Sequence, residues 1–188
     1  WGGTTLAGGQ GEMRFDGTND YVRVVNNTRL DPAVITVSIW GSIANTTGLK
    51  ALVARYAGNA TAVSWALEVS NATYVIEYSG AGNEGTDYHS ATGGTVSANT
   101  WYNFAFSINA TNILLYVNGV QTGSGAGLSV FAGTEDLIIG ASEYQVGVGS
   151  PSRFHNGLLD DIRIYNRALS ASEIATLYLR SQTRYQNF

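Results

Sequence analysis

Short apolar runs, separated by glycine and asparagine, recur along the whole chain and constrain its fold more than any other feature. Most of these runs are rich in β-branched and aromatic residues, which is the composition of β-strands. The runs lie at 12–15, 20–25, 34–43, 51–57, 62–70, 73–79, 101–108, 112–117, 136–140 and 158–165. Asn118-Gly119 is a dipeptide that favours positive φ, so it predicts a hairpin after the 112–117 run. The pattern predicts an antiparallel all-β fold.

One helix is predicted near the C-terminal end, beginning after Ser170. Ser170 and Glu173 have the spacing of a capping box, in which each satisfies a backbone donor at the helix start. Leu169 and Ile174 have the spacing of a hydrophobic staple. By contrast, the segment 80–100 is polar and rich in glycine, and we expect it to be a long loop.

The bulk composition agrees with a β-protein of one domain. The chain has 188 residues, of which 44% are hydrophobic, 13% are charged and 23 are glycine. That apolar share is enough for a substantial core, and the low charge with abundant glycine is typical of strands joined by tight turns. We predict one domain over 1–188, folded as a two-sheet antiparallel jelly-roll sandwich with one short C-terminal α-helix and with tails at 1–11 and 180–188.

The charge, the apolar stretches and the lack of cysteine exclude several classes of protein. The net charge is −4, and the ten basic residues are scattered, so nucleic acid is not an expected partner. No apolar stretch approaches the ~20 residues of a membrane span, and no cysteine is present for thiol catalysis. Because the chain begins at Trp1, without an initiator Met or a signal peptide, we expect a processed mature protein or an excised domain.

Five N-x-T sequons form a mild excess that bears on location. They begin at Asn26, Asn45, Asn59, Asn71 and Asn109. One interpretation is an exported, glycosylated protein at the cell surface or outside the cell. The alternative is that asparagine and threonine are simply common in turns and strands.

Three blocks of sequence resemble the laminin-G-like family of concanavalin A-type jelly rolls. They are FDGTNDYVRV at 15–24, WYNFAFSINATNILLYVNGV at 101–120 and GLLDDIRIYNRALSASEIATLY at 157–178. The blocks occur in the order of the family pattern and cover about a third of the chain, and the last is the most specific. The resemblance implies two antiparallel sheets, one curved over the other.

The last block contains two adjacent acids in an otherwise apolar strand. By strand alternation, Asp160 shares a face with Ile162 and Ile164, whereas Asp161 lies on the other face, solvated or paired with Arg163. An unpaired carboxylate on the apolar side would be unfavourable, so Asp160 needs a partner.

The resemblance implies that this partner is calcium. In many relatives an acid at this position ligates a calcium that connects the N-terminal segment to the last strand. Here Asp160, Asp16 and Asp20 would be ligands together with backbone carbonyls of 16–20, since calcium takes about six to eight oxygen ligands. The alternative is that Asp160 accepts backbone N–H groups of that turn, with no metal. A melting temperature unchanged by a chelator would contradict calcium.

Several enzymes share this sandwich, but their residue patterns are missing here. The laminarinase-like hydrolases carry E-x-D-x-x-E on one strand, which places their carboxylates on one face. The chain has no such motif, and Glu68 and Glu77 each stand alone within a strand, with partners on neighbouring strands left open as the alternative. His89 and His155 lie in unrelated loops without a metal-type cluster, and no G-x-S-x-G occurs. We therefore predict that the protein is not an enzyme.

Binding of a sugar fits the sequence better. Such sites use exposed aromatic rings against the pyranose, with amide or acid groups contacting hydroxyls. The candidate ligand-binding residues are Tyr88 and His89 in the 80–100 loop, Tyr144 in the 140–153 loop, and Trp65. Trp65 has a core position as its alternative, and we expect Trp40, Trp101 and Phe104 in the core.

Two functions follow from these observations. The first is a non-catalytic extracellular carbohydrate-binding or adhesion module, stabilised by structural calcium, whose partner is a glycan or a surface protein. The second is a structural subunit of a surface filament, sheath or virion, in which the termini add to a sheet edge of another copy. Glycan binding by a monomer would favour the first, and concentration-driven polymers would favour the second.

Overall fold

Two antiparallel sheets of six strands face each other in the computed structural model, which describes residues 11–57, 62–83, 87–142 and 151–185. In chain order the strands are β1 (Met13–Asp16), β2 (Val22–Val24), β3 (Ile35–Ile43), β4 (Leu49–Ala57), β5 (Ala62–Ser70), β6 (Thr73–Ser79), β7 (Tyr88–Thr95), β8 (Trp101–Ile108), β9 (Asn112–Val117), β10 (Val120–Ala126), β11 (Leu137–Ile139) and β12 (Asn156–Tyr165). Sheet 1 has the order β1-β12-β3-β8-β9-β10, and sheet 2 has the order β2-β11-β4-β5-β6-β7. The helix α1 spans Ala171–Ser181, and short 3-10 turns span Thr28–Leu30 and Gln182–Arg184. The predicted jelly-roll sandwich is confirmed.

The main core lies between the sheets and follows the period-two pattern of the central strands. Ile39 of β3 pairs with Phe104 of β8, and Val37 pairs with Phe106, all fully buried. Trp65 from sheet 2 meets the ring of Phe106 edge-on at 5.4 Å between centroids. Burying one large apolar side chain stabilises the fold by about 1.5–3 kcal/mol, so this layer holds the two sheets together.

Strand β7 replaces part of the predicted 80–100 loop. Its residues pair with β6 from Tyr88 opposite Ser79 to Thr95 opposite Thr73. Apart from Ala91 its residues are exposed or only partly buried, because β7 is an edge strand. The strand therefore lacks the apolar alternation that marks the others, and the prediction of a loop was wrong over this stretch.

The edges of the two sheets meet closely at β7 and β10. A Cβ atom at Gly93 of β7 would lie 2.6 Å from the ring of Tyr74, and one at Gly123 of β10 would overlap the carbonyl of Thr92. Only glycine lets the backbones approach so closely, which explains glycines inside these strands.

A β-bulge in β12 reverses the predicted facing of Asp160. The pairing of β12 with β3 shifts its register directly after Asp160, and Asp161 has a φ of +46°. Ile162 and Ile164 pack against the main core, whereas Asp160 lies opposite Trp40 and faces away from the other sheet. The extra residue breaks strand alternation, so the prediction that Asp160 shares a face with these isoleucines was wrong.

The helix α1 covers part of the outer face of sheet 1, the side that points away from sheet 2. Its capping box is confirmed, since Ser170 and Glu173 hydrogen-bond reciprocally to backbone N–H groups. Leu169 and Ile174 are buried in a cluster with Tyr116 of β9, as the staple predicts. Within the described residues, no helix is both long and apolar enough to cross a membrane.

A buried arginine joins two long loops to sheet 2. Arg55 of β4 is 1% exposed, and its guanidinium lies 2.6 Å from the carboxylate of Asp31. Its other acceptors are the carbonyls of Leu30, Gly133 and Glu135 and the side chain of Asn26. Because every one of these acceptors lies in a connecting segment, this side chain fixes the 26–31 and 133–135 segments relative to the sheet.

Replacing that arginine should destabilise the protein strongly. Arg55→Leu would leave Asp31 and buried carbonyls without a donor, which costs about 3–5 kcal/mol of unfolding free energy. Urea denaturation measures the loss. The matched control is Arg29→Leu at an exposed arginine of the same region, which should change stability by less than about 0.5 kcal/mol. Equal losses in both variants would contradict the role of Arg55.

His155 should make the protein less stable in acid. It is fully buried against the ring of Phe15, at 5.8 Å between centroids, and burial lowers its pKa from 6.5 to about 4. Between these values the unfolded chain binds more protons at this histidine, so the contribution of His155 to the unfolding free energy falls by up to about 3 kcal/mol as pH drops through this window. Denaturation across pH 4–7 measures this slope as the difference in unfolding free energy between wild type and His155→Gln, which removes the contributions of other groups. The control His89→Gln should keep the wild-type slope.

Candidate functional site

A groove of about 930 Å³ crosses the part of the outer face of sheet 1 that α1 leaves open. Strands β1, β12, β3 and β8 form its floor, and the segment after α1 forms one wall. Among the lining residues are Arg14, Asn99, Trp101, Asn118, Asp160 and Tyr185. Residues 180–185, predicted as part of a tail, end α1 and form the wall instead.

Three stacked aromatic rings support the floor of the groove. Tyr185 stacks on Trp40 at 4.2 Å and 20°, and it contacts Trp101 at 4.9 Å and 47°. Trp40 and Tyr185 are buried, whereas Trp101 is half-buried and lines the groove. Phe104 is in the core as predicted, but the core position predicted for Trp101 was wrong, because its side chain points to the outer face.

Amide and guanidinium groups surround this ring. Asn118 has a φ of +52° in the β9–β10 turn, and its Oδ1 accepts the N–H of Asn103 at 2.9 Å, which fixes the side chain. Asn99 has a φ of +55° and donates its N–H to the carbonyl of Ile43 at 2.7 Å. Arg14 is exposed and has no ion pair within the described ranges. The groove therefore offers hydrogen-bond donors and acceptors beside an aromatic ring.

Asp160 satisfies its carboxylate with protein groups. Its Oδ2 accepts the Tyr185 hydroxyl at 2.7 Å and lies 3.1 Å from Nη2 of Arg184. Its Oδ1 accepts the N–H of Asp161 at 2.8 Å. The predicted pairing of Asp161 with Arg163 is confirmed, at 2.7 Å. Asp160 has the partner it needs, from the C-terminal segment rather than from the first turn.

The structure brings two of the predicted calcium ligands together, Asp16 and Asp20, but places Asp160 away from them. Asp16 accepts backbone N–H groups of residues 18–19, and Asp20 accepts the N–H of Asp16 at 3.0 Å. Asp16 pairs with Asn156, four residues before Asp160, which places the two acids about 13 Å apart along the strand. No group of three acidic or histidine side chains that could hold a metal occurs in the described part of the chain. This ligand set does not fit a calcium ion, and calcium binding stays a prediction that a chelator tests.

A second polar cluster lies on the outer face of sheet 2. Nη1 of Arg153 lies 2.9 Å from Glu68 Oε1 on β5 and 2.9 Å from Glu77 Oε2 on β6. The guanidinium stands 5.3 Å from the ring centre of Tyr56. Glu68 has no carboxylate partner at local spacing, and the structure supplies its partners from the alternative left open by the sequence, a neighbouring strand, together with a distant loop. It is fully buried, so the cluster cannot present this carboxylate to a substrate.

Burial gives Glu68 an unusual acidity. Loss of solvation raises its pKa from 4.5 to about 7, against the opposing effect of Arg153, and the charge of Glu77 raises it further. Tyr88, at the rim of the cluster, also has a raised pKa because of burial and the nearby Glu77. The ion pairs of Arg153 with Glu68 and Glu77 attach the segment before β12 to sheet 2.

Glu68→Gln should change how stability depends on pH. Between pH 4.5 and 7 the Glu68 carboxyl binds more protons in the folded protein than in the unfolded chain, so the contribution of this group to the unfolding free energy declines as pH rises. Relative to Glu68→Gln, we expect wild type to lose up to about 3 kcal/mol across this interval. Denaturation at several pH values measures the difference. Glu12→Gln, outside the cluster, should follow wild type, and a parallel profile for Glu68→Gln would contradict the expectation.

The predicted ligand residues are dispersed in the fold. Tyr88 is 37% exposed on β7, on the opposite side of the sandwich from the groove. His89 contacts Asp87 at 3.0 Å and stacks on a core tyrosine. Trp65 is 1% exposed, so it takes the core position that was its alternative. Tyr144 lies outside the described residues. Sequence reasoning missed Trp101, and its place directly after the polar 97–100 segment was the available signal.

The sequons differ in exposure. Asn45 and Asn71 are exposed in turns, whereas Asn26 and Asn109 are half-buried. Asn59 lies outside the described residues. Glycosylation at these positions stays a prediction.

The architecture is a jelly-roll β-sandwich of two six-stranded sheets. Residues 16–175 match the laminin-G model described as the concanavalin A-like lectin/glucanases superfamily. The chain belongs to this superfamily, which confirms the resemblance seen in its sequence. No curated protein matches the chain in sequence.

Solved structures with the same fold include several binding proteins. The heptameric SAP-like pentraxin of Limulus polyphemus has a TM-score of 0.68 and 15% identity, over 89% of this chain and 81% of the pentraxin chain. The CBM40 module of Ruminococcus gnavus IT-sialidase, bound to α2,3-sialyllactose, has a TM-score of 0.69 and 15% identity, over 91% and 100%. The binding domain of botulinum neurotoxin DC, in complex with SialylT, has a TM-score of 0.72 and 13% identity, over 95% and 44%. At these identities the likeness shows the fold alone.

Proposed function

We propose that the protein is a non-catalytic glycan-binding module and that its sugar site is the groove beside Trp101. The observation that carries this proposal is the half-buried Trp101 ring, supported from below by Tyr185 and bordered by the amides of Asn99 and Asn118. An aromatic face with amide groups at its rim matches the two surfaces of a pyranose, which has an apolar C–H face and a hydroxyl edge.

The dimensions and charges of the groove support a sugar ligand. Its 930 Å³ is within the range of small-ligand sites, which is about 300–1,000 Å³. Glu12 and Asp160 balance Arg14 and Arg184 among its lining residues, so the groove has no excess charge. Such a site suits hydroxyl groups, which accept from guanidinium and donate to carboxylate.

We propose a protein without catalytic activity because its carboxylates are not arranged for hydrolysis. A retaining hydrolase needs two carboxyl groups about 5–5.5 Å apart on either side of the scissile bond. Here Glu68 and Glu77 share Arg153 on sheet 2, and Glu68 has no access to solvent. In the groove, Asp160 already accepts from Tyr185.

The fold neighbours support the ligand class and the location. The sialidase module and the neurotoxin binding domain were both solved with sialylated ligands. We extend from them only the class of ligand, a glycan displayed outside the cell or on a surface protein. An extracellular or cell-surface location for this protein follows from that partner.

Removing the aromatic ring should weaken sugar binding strongly. A glycan array would identify a ligand for the wild type, and titration calorimetry would then compare variants. Trp101→Ala should weaken binding by at least about tenfold, because a central aromatic contact contributes about 2 kcal/mol or more. Tyr88→Ala, an exposed aromatic on the opposite face, is the control and should bind as wild type does. Loss of binding in Tyr88→Ala alone would place the site on sheet 2.

A further inference from the structure

The wall of the groove is held by a contact that connects the last strand to the end of the described chain. Oδ2 of Asp160 accepts a hydrogen bond from the hydroxyl of Tyr185 at 2.7 Å and lies 3.1 Å from Nη2 of Arg184. The Asp160 side chain is 13% exposed, so solvent screens this pair only in part. We call these three residues the C-terminal clamp.

The guanidinium in the clamp lies beside Oδ2 of Asp160, one of the two oxygens that this carboxylate could offer to a divalent cation. Calcium takes about six to eight oxygen ligands around the ion, and a fixed positive charge beside its carboxylate opposes it. Asp160 also has its Oδ1 occupied by the N–H of Asp161. A metal ion on Oδ2 would therefore lie next to the positive charge of Arg184, which opposes its binding.

The clamp also positions the ring of Tyr185, which supports Trp101 of the proposed sugar site. Tyr185 is 5% exposed and lies between Trp40 and Trp101. The Tyr185 hydroxyl donates to Asp160, and the Tyr185 ring contacts Trp101. Removing the carboxylate should therefore change the position of the ring that supports Trp101. Trp40 is fixed in turn, because its Nε1 donates to Ser181 Oγ at 2.9 Å.

We propose that the C-terminal clamp takes the structural place of a metal ion. Asp160 and Arg184 then act as positioning residues, and the proposed sugar site beside Trp101 assembles without calcium. The proposal rests on the proposed glycan site for its effect on binding. Its effect on the aromatic stack does not depend on any ligand.

The first test uses the wild-type chain without ligand. Near-ultraviolet circular dichroism reports the packed Trp40–Tyr185–Trp101 stack, and a thermal melt reports stability. Both should be the same in millimolar EDTA and in millimolar calcium chloride. A melting temperature or dichroism signal that falls in EDTA and returns with calcium would overturn the proposal.

The second test separates the clamp from general effects of charge. Arg184→Gln, Asp160→Asn and Tyr185→Phe should each reduce the dichroism signal of the stack. Arg180→Gln is the matched control, since this exposed arginine of α1 lies one turn earlier, away from Asp160. It should keep the wild-type spectrum. Spectra of Arg184→Gln and Arg180→Gln that both equal wild type would overturn the proposal.

Binding supplies the third measurement. With a glycan that wild type binds, Arg184→Gln and Asp160→Asn should weaken affinity by about tenfold, the effect of one charged hydrogen bond, and EDTA should have no effect. Affinity that is lost in EDTA would overturn the proposal. If wild type binds no glycan, the proposed function fails, while the spectra and melts still decide whether the clamp organises the stack.

Discussion

One extra residue in β12 determines what the outer face of sheet 1 can do. The bulge at Asp161 keeps Ile162 and Ile164 in the core while Asp160 turns outward. Without it, strand alternation would bury the carboxylate between the sheets, where it would need a compensating charge. The outward carboxylate instead contacts Arg184 and Tyr185. That contact forms one wall of the groove on sheet 1.

The two outer faces use charge differently. On sheet 2, Glu68 and Glu77 surround Arg153 and are covered, so this cluster attaches a loop and is not open to a ligand. On sheet 1, charged and amide groups lie around a half-buried tryptophan, with room for a small ligand. Removing one partner from a buried ion pair is strongly destabilising, whereas exposed pairs contribute little. The first face therefore serves stability and the second can serve recognition.

Much of the fold could be predicted from the sequence, because central strands and a capped helix leave local signals. The alternation in β3 and the Ser170 capping box both mark elements that the structure contains. Strand β7 left no such signal, because its edge position tolerates small polar residues. The site was harder to predict, because Trp101 and Tyr185 are in contact although they lie 84 positions apart in the sequence. The bulge that turns Asp160 outward also gives no signal in the hydrophobic pattern.

The close approach of β7 and β10 bears on how the protein behaves when concentrated. Exposed strand edges carry unpaired backbone groups that can recruit other chains and seed fibrils. At this rim the glycines of β7 and β10 bring the two edge strands against each other, so each shields its neighbour from incoming chains. The opposite rim consists of the short strands β1 and β2, of four and three residues, which give a foreign strand little to extend. Within the described residues, the geometry of the sandwich therefore leaves an incoming chain little free strand edge to pair with.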